Sequence, residues 1–365
     1  MKFIDEFRDP RLARALVERI RERAQKPVRL MEFCGGHTHA ILRFGIRQLL
    51  PPTLEMLSGP GCPVCVTASS DLDLAIALAH VPGVILTTFG DMLRVPGSQG
   101  SLQNAKAGGA DVRIVYSPLD AVKLAERNPS RSVVFLGVGF ETTAPGVAAS
   151  ILQAKAQGLG NFFVLCLHKL TPPATRAILD AGEVSLSGIL GPGHVTTVIG
   201  TDAWAFLPRD YGVPIAIAGF EPLDILRGIS MLVDQTAEGV ARVDNAYSRS
   251  ALPEGNRAAL GIMTQVFEVC DADWRGLGVI GVSGMRVREE YAAFDAARAF
   301  PLDVTPSREP PGCRCGEVLR GVLLPTACPL FRKVCAPENP VGPCMVSAEG
   351  ACAAHYQFGS EGHEA

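Results

Sequence analysis

Nowhere does this chain carry an apolar run near the roughly 20 residues needed to span a bilayer. Its longest stretches, such as residues 84–86 and 133–138, are strand-length and stop at glycine or polar residues. The first residues, MKFIDEFRDPRLARALVERIRERAQ, lack the apolar core of a secretory signal. They also hold too many acids (Asp5, Glu6, Asp9, Glu18, Glu22) for an organelle transit peptide. A cytosolic protein without membrane attachment is expected. No sign of charge dominates: 34 Lys and Arg against 37 Asp and Glu leave −3, which gives no general attraction to nucleic acid or anionic lipid. A phosphate-cradling Gly-x-x-x-x-Gly-Lys string is missing too, so ATP use by this chain alone is not expected.

Cysteine, by contrast, is plentiful. There are 11 in 365 residues, and reducing conditions in the cytosol disfavour structural disulfides. They are unevenly placed: Cys34, Cys62 and Cys65 come early, Cys166 and Cys270 stand alone, and six crowd into residues 313–352. An odd count in this pattern points to metal binding or redox work rather than a disulfide framework.

Between residues 28 and 300 a short apolar run, a Gly-rich or polar turn and a helical stretch recur. The runs are 28–33, 54–57, 84–89, 112–116, 133–138, 162–168, 187–190, 214–218 and 277–282. Start signals mark several helices, as in Pro10 at the start of residues 10–25, Ser69-Ser70-Asp71, Ser117-Pro118, Thr143 with Pro145, and Pro172-Pro173. This alternation predicts an α/β fold with parallel, doubly covered sheet, whose ligands sit beyond the carboxyl ends of the strands. The unusual strings fall at those ends. Gly59-Pro60-Gly61 and Gly191-Pro192-Gly193, with FGDMLR from Phe89 and FEPLDILR from Phe220, suggest an internal repeat. The expectation is two similar parallel-sheet half-domains around a central cleft, residues 1–125 and 126–235. A loop-rich and helical C-terminal iron–sulfur domain follows, residues 236–365. Its many prolines leave little core, so a bound metal centre supplies stability.

The C-terminal cysteines are Cys313, Cys315, Cys328, Cys335, Cys344 and Cys352. Four thiolates hold an iron–sulfur cluster, whereas structural zinc favours CxxC knuckles, and this segment has only Cys313-Arg314-Cys315. Cys62-Pro63-Val64-Cys65 is a CxxC pair; opening the helix after Ser69 would lower a thiol pKa. In Cys34-Gly35-Gly36-His37-Thr38-His39 two glycines let the backbone bend beside the thiol. There Cys34 can ligate iron, or His37 can serve as its base; the alternative is that both histidines merely cap a helix over residues 40–50. Glu141, Thr142, Thr143 and His194 combine capping types with general-base candidates. Cys166 and Cys270 read as inert core thiols.

Together these strings resemble the HypD family of [NiFe]-hydrogenase maturation proteins. The motifs are EFCGGHTHAI (32–41), GPGCPVC (59–65), GFETTAP (139–145) and PGHVTTVIG (192–200). Gaps of 14, 6 and 16 residues separate Cys313, Cys328, Cys335 and Cys352. The resemblance implies a scaffold for the Fe(CN)2CO group, working with the chaperone HypC and receiving cyanide as a thiocyanate from HypE, and a monomer on its own. It implies a [4Fe–4S] cluster on Cys313, Cys328, Cys335 and Cys352, with Cys315 and Cys344 extra. Cys34 becomes a ligand of the transient Fe(CN)2CO iron supported by His37, Cys62 and Cys65 a redox-active dithiol, and Glu141, Thr142, Thr143 and His194 the lining of the same cleft. Two other classes remain: an iron–sulfur-dependent thiol–disulfide oxidoreductase acting on a protein, and a zinc-stabilised binding module. A simple reductase needs no third thiol beside two histidines.

Overall fold

The first apolar run pairs with partners far apart in the sequence, and this decides the architecture. In the computed structural model, which describes residues 5–304 and 309–359, eleven strands form three sheets. Strands β1 (Val28–Glu32), β2 (Leu54–Ser58), β3 (Val84–Thr88), β4 (Val112–Ile114), β5 (Ser132–Gly137) and β6 (Phe162–Cys166) come first. They are followed by β7 (Gly188–Pro192), β8 (Ile215–Ala218), β9 (Val243–Asn245), β10 (Phe267–Trp274) and β11 (Gly278–Val287). One parallel sheet has the order β2-β1-β7-β8-β9, and the other β4-β3-β5-β6. Strands such as β3, β7 and β8 are buried along their whole length, as two helix-covered faces require.

The parallel α/β expectation therefore holds, but the strands are not shared out in chain order. The chain lays down β1 and β2, leaves to build the whole second sheet, and returns with β7. A division at residue 125 falls between β4 and β5 of one sheet, and one at 235 falls inside the helix Pro222–Glu238. Apolar runs announce strands, yet crossover connections let any two of them become neighbours. The repeat is not reflected in the sheets. Both Gly-Pro-Gly strings border strands of the first sheet, while Phe89 follows β3 of the second and Phe220 follows β8 of the first. Residues 277–282 belong to an antiparallel hairpin with β10 rather than to a parallel strand.

The helix start signals are obeyed at Pro10–Arg23, Ser69–Ala79, Pro118–Arg127, Ala144–Ala156 and Thr171–Ala181. The stretch 40–50 is split: Gly35–Arg43 ends before Gly45, whose φ of 65° breaks the helix ahead of Ile46–Leu49. Among the described residues after 300, only short helical turns and Ala351–Phe358 are regular. This segment is nonetheless part of the core. Cys315, Leu319, Cys335, Cys344, Met345 and Cys352 share one apolar cluster with Met31, Phe33 and Leu57 of the first sheet. The tail 360–365 lies outside the described residues. Among the described residues no helix is long and apolar enough to cross a membrane.

Candidate functional site

Cys34 leaves the end of β1 with extended backbone and stands as the N-cap of Gly35–Arg43. Its amide donates to Glu32 Oε2 at 2.9 Å, and the Thr38 hydroxyl donates to the other Glu32 oxygen. Glu32 is buried, and burial pushes its carboxyl up to about 8. The Cys34 loop is locked against the loop after β2. Gly35 N–H donates to the Gly61 carbonyl at 3.0 Å and Gly59 N–H to the Glu32 carbonyl at 2.8 Å. A Cβ on Gly61 would fall 2.3 Å from the Cys34 nitrogen, so only glycine permits this approach. The two Gly-rich strings thus set Cys34 beside Cys62.

Cys62 and Cys65 are disulfide-bonded, with Cα atoms 5.2 Å apart, and both are buried. They cap and occupy their own turn, Pro63–Val66, which is separate from Ser69–Ala79. The chain is redirected at Thr67 before the longer helix begins, so the expectation that CxxC opens that helix is corrected. Cys65 Sγ lies 3.9 Å from the Pro343 carbonyl oxygen, reaching the C-terminal segment.

Burial and the neighbouring Glu349 push the Cys34 thiol up to about 12. Iron binding must therefore displace a proton there. His37 is fully buried and held down to about 4 by that burial, so it is neutral at pH 7. Its Nε2 faces the carbonyl oxygens of Ala218 at 3.2 Å and Gly219 at 3.0 Å, and so carries the hydrogen. Nδ1 is left as a buried acceptor without a partner among the described residues. His37 is fixed by strand β8 and has one nitrogen to spare for a proton. The Phe220 ring stacks on His37 at 4.8 Å and packs on His194 at 4.0 Å, bringing His194 to the Cys34 helix.

Glu141 turns elsewhere. Its carboxylate accepts the Thr171 amide at 2.8 Å and the Thr171 hydroxyl at 3.2 Å. Thr143 donates back to the Phe140 carbonyl instead of capping Ala144–Ala156, and Thr142 is exposed. The loop joins the cysteine region through Phe140, which belongs to the cluster holding Cys62 and Cys65 and stacks on Trp274. Burial lifts Glu141 from 4.5 to about 7, so its ionisation disfavours the folded state as pH rises through that range. Glu141→Gln is expected to gain thermal stability relative to the parent between about pH 5 and pH 8, by up to roughly 3 kcal/mol. A melting-temperature difference that stays constant across this range would refute the assignment.

All six C-terminal cysteines line one cavity with Leu330, Phe331, Gly342 and Met345. A Cβ on Gly342 would lie 2.5 Å from Cys313 Sγ, so the glycine keeps this cradle open. Soft sulfur donors in an apolar shell suit an iron–sulfur cluster. Among the described residues no three His, Cys, Asp or Glu side chains are arranged to share a single ion; a cluster spreads its thiolates over several irons and does not require that convergence. Within the six, the sulfurs of Cys315 and Cys344 lie 2.6 Å from each other, and Cys344 also bonds to the Cys352 thiol. The Cys344 hydrogen bond holds the Cys315 thiol below the usual cysteine range, and Cys344 is raised in return. Burial pushes the Cys166 thiol, beside His168, up to about 12.

Sequence reading gave no role to Glu32, Phe220, Glu349 or the Cys315–Cys344 pair. The signals were present: a carboxylate ending the strand before Cys34, an aromatic just past β8, and two cysteines in excess of four.

The HypD family, described as "Hydrogenase formation hypA family", matches residues 11–359. The chain is 52% identical to the hydrogenase maturation factor HypD of Azotobacter vinelandii over 99% of this chain and 98% of that protein. It is 50% identical to the HypD of Cupriavidus necator over 98% and 97%. To the HypD of Escherichia coli K12 it is 48% identical over 100% of both.

Proposed function

Because the chain belongs to the HypD family of hydrogenase maturation factors, we propose that it is the cytosolic scaffold on which the Fe(CN)2CO group is assembled, with Cys34 as its iron ligand. HypC shares the iron, and HypE delivers cyanide as a thiocyanate. The observation that carries this reading is that the cysteines gather in one apolar region. Cys62 and Cys65 share an apolar cluster with Cys315, Cys335, Cys344 and Cys352, with Cys313 and Cys328 packed against it, while Gly35 and Gly61 bind the Cys34 loop to the same place.

Cys313, Cys328, Cys335 and Cys352 would hold a [4Fe–4S] cluster, which would relay electrons one at a time from an external one-electron donor. The chain's own residues do the rest. Cys315 and Cys344 collect two electrons as a dithiol and pass them, with two protons, to the Cys62–Cys65 disulfide by thiol exchange. The reduced Cys62–Cys65 pair then gives up two hydrogens and becomes a disulfide again. The thiocyanate sulfur–carbon bond breaks, the sulfur leaves as a thiol, and cyanide leaves with the second proton. Cys34 loses its proton on binding iron, while the neutral His37 ring, anchored through Nε2, holds the start of the Cys34 helix to the end of β8. Phe220 packs between His37 and the exposed His194 at the edge of the site.

Cys62→Ser tests this directly. The variant is expected to keep its brown colour and its iron, and to lose hydrogenase maturation in cells at least about tenfold. Normal maturation would remove the dithiol from the mechanism.

A further inference from the structure

His39, the second histidine of the Cys34 string, takes no part in the chemistry above, and Glu349 lies in a different part of the sequence. Both sit where the cluster segment meets the Cys34 helix. His39 Nδ1 is 3.1 Å from the Ala348 carbonyl oxygen, and the His39 ring meets Phe358 edge-on at 5.1 Å. Glu349 presses on Gly35: a Cβ there would fall 2.4 Å from the Glu349 carbonyl oxygen and 2.6 Å from its Cβ. Behind them the helix Ala351–Phe358 packs along Gly35–Arg43.

The other end of this segment is Cys344. Between the two ends the chain is tightly wound. Val346 N–H donates to the Pro343 carbonyl at 3.0 Å, Gly350 N–H to the Ser347 carbonyl at 2.9 Å, and Glu349 N–H to Ser347 Oγ at 3.3 Å. Gly350 closes the turn onto Cys344 itself, where a Cβ would come 2.2 Å from the Cys344 carbonyl oxygen. Arg94 fastens the middle through the Val346 carbonyl at 2.9 Å. Close packing of this kind transmits a displacement instead of absorbing it.

We propose that the segment from Cys344 to Cys352 is a mechanical link through which the bonding state of Cys315 and Cys344 controls access to the Cys34 thiol, with His39 and Glu349 as its contact points. It rests on the reading of Cys315 and Cys344 as a redox pair. When that pair bonds, the sulfurs close to about 2.05 Å with a fixed dihedral. Cys344 is drawn toward Cys315, and Ala348–Gly350 move with it against Gly35, the residue next to Cys34. The two-state element is the sulfur pair, and the bias it exerts is steric. The iron site and the electron supply are thereby put in step: Cys34 changes its accessibility according to whether two electrons are in hand. His39 is a positioning residue here, holding the moving turn to the Cys34 helix.

The test uses the full chain with its cluster, isolated anaerobically. One portion is treated with diamide, which takes one hydrogen from each of the two thiols as they form a disulfide and is itself reduced to the hydrazine. The other portion is treated with dithiothreitol, which is then removed. Both are alkylated with N-ethylmaleimide, and the Cys34 peptide is followed by mass spectrometry. Cys34 alkylation is expected to differ by about fivefold or more between the two states, the lower end of ordinary coupling between sites. The difference should vanish in Cys344→Ser, where Cys62–Cys65 still cycles but the second bond cannot form. It should shrink in His39→Leu and return in His39→Asn, which keeps a donor for Ala348. Equal Cys34 rates in the two states, with the Cys315–Cys344 disulfide seen in the peptide map, would overturn the link alone. A map without that disulfide would overturn the redox-pair reading and the link with it. A difference that persists in Cys344→Ser would assign the effect to Cys62–Cys65 and also overturn the proposal.

Discussion

Cys34→Ala is expected to strip the cyanide infrared bands from the co-purified complex with HypC to below about a tenth of their usual strength, while the protein keeps its fold and its cluster. The size of the effect follows from the site's construction. While Cys62 and Cys65 are bonded to each other, neither offers a free thiol in place of Cys34. His37 is anchored through Nε2 to two carbonyls and offers a single nitrogen, too few donors to retain a soft iron by itself. The fold should tolerate the change because Cys34 is half-buried and makes its contacts to Glu32 through the amide. Bands at full strength in the variant would remove Cys34 as the ligand.

Cys328→Ser should bleach the protein, lowering bound iron and acid-labile sulfide together by at least about tenfold; disturbing even the outer shell of a metal site commonly costs about 10–100-fold in affinity. Cys315→Ser and Cys344→Ser should leave both quantities unchanged. The contrast separates the four cysteines at the family's spacing from the two that face each other at 2.6 Å. If Cys315→Ser bleaches the protein and Cys328→Ser does not, the ligand set is wrong even though all six line one cavity.

Much of the candidate site was legible because its chemistry is tied to local backbone requirements. Two glycines after a strand announced the bend at Cys34, and Gly-Pro-Gly before Cys62 announced the turn that Gly61 now makes against the Cys34 backbone. The strands were legible for a similar reason, since a run buried on both faces has to be apolar throughout. Their grouping was not, because β1 meets β7 across more than 150 residues and nothing in either string specifies the partner. The contacts of Glu141 were not legible, for another reason. A carboxylate at a strand end suggests the cleft, but its rotamer follows Thr171, whose nearness depends on how the next strand and helix are placed. The Cys315–Cys344 pair is likewise a tertiary fact. Counting gave two spare thiols; only packing placed them together.

The measurement closest to the central claim is an iron and acid-labile sulfide assay on the anaerobically purified chain, with and without HypC. Without HypC, about four irons and four sulfides per chain are predicted, as one cubane on Cys313, Cys328, Cys335 and Cys352 requires. With HypC, one further iron without sulfide is predicted, and it should be lost in Cys34→Ala. A colourless protein carrying zinc and no sulfide would contradict the account.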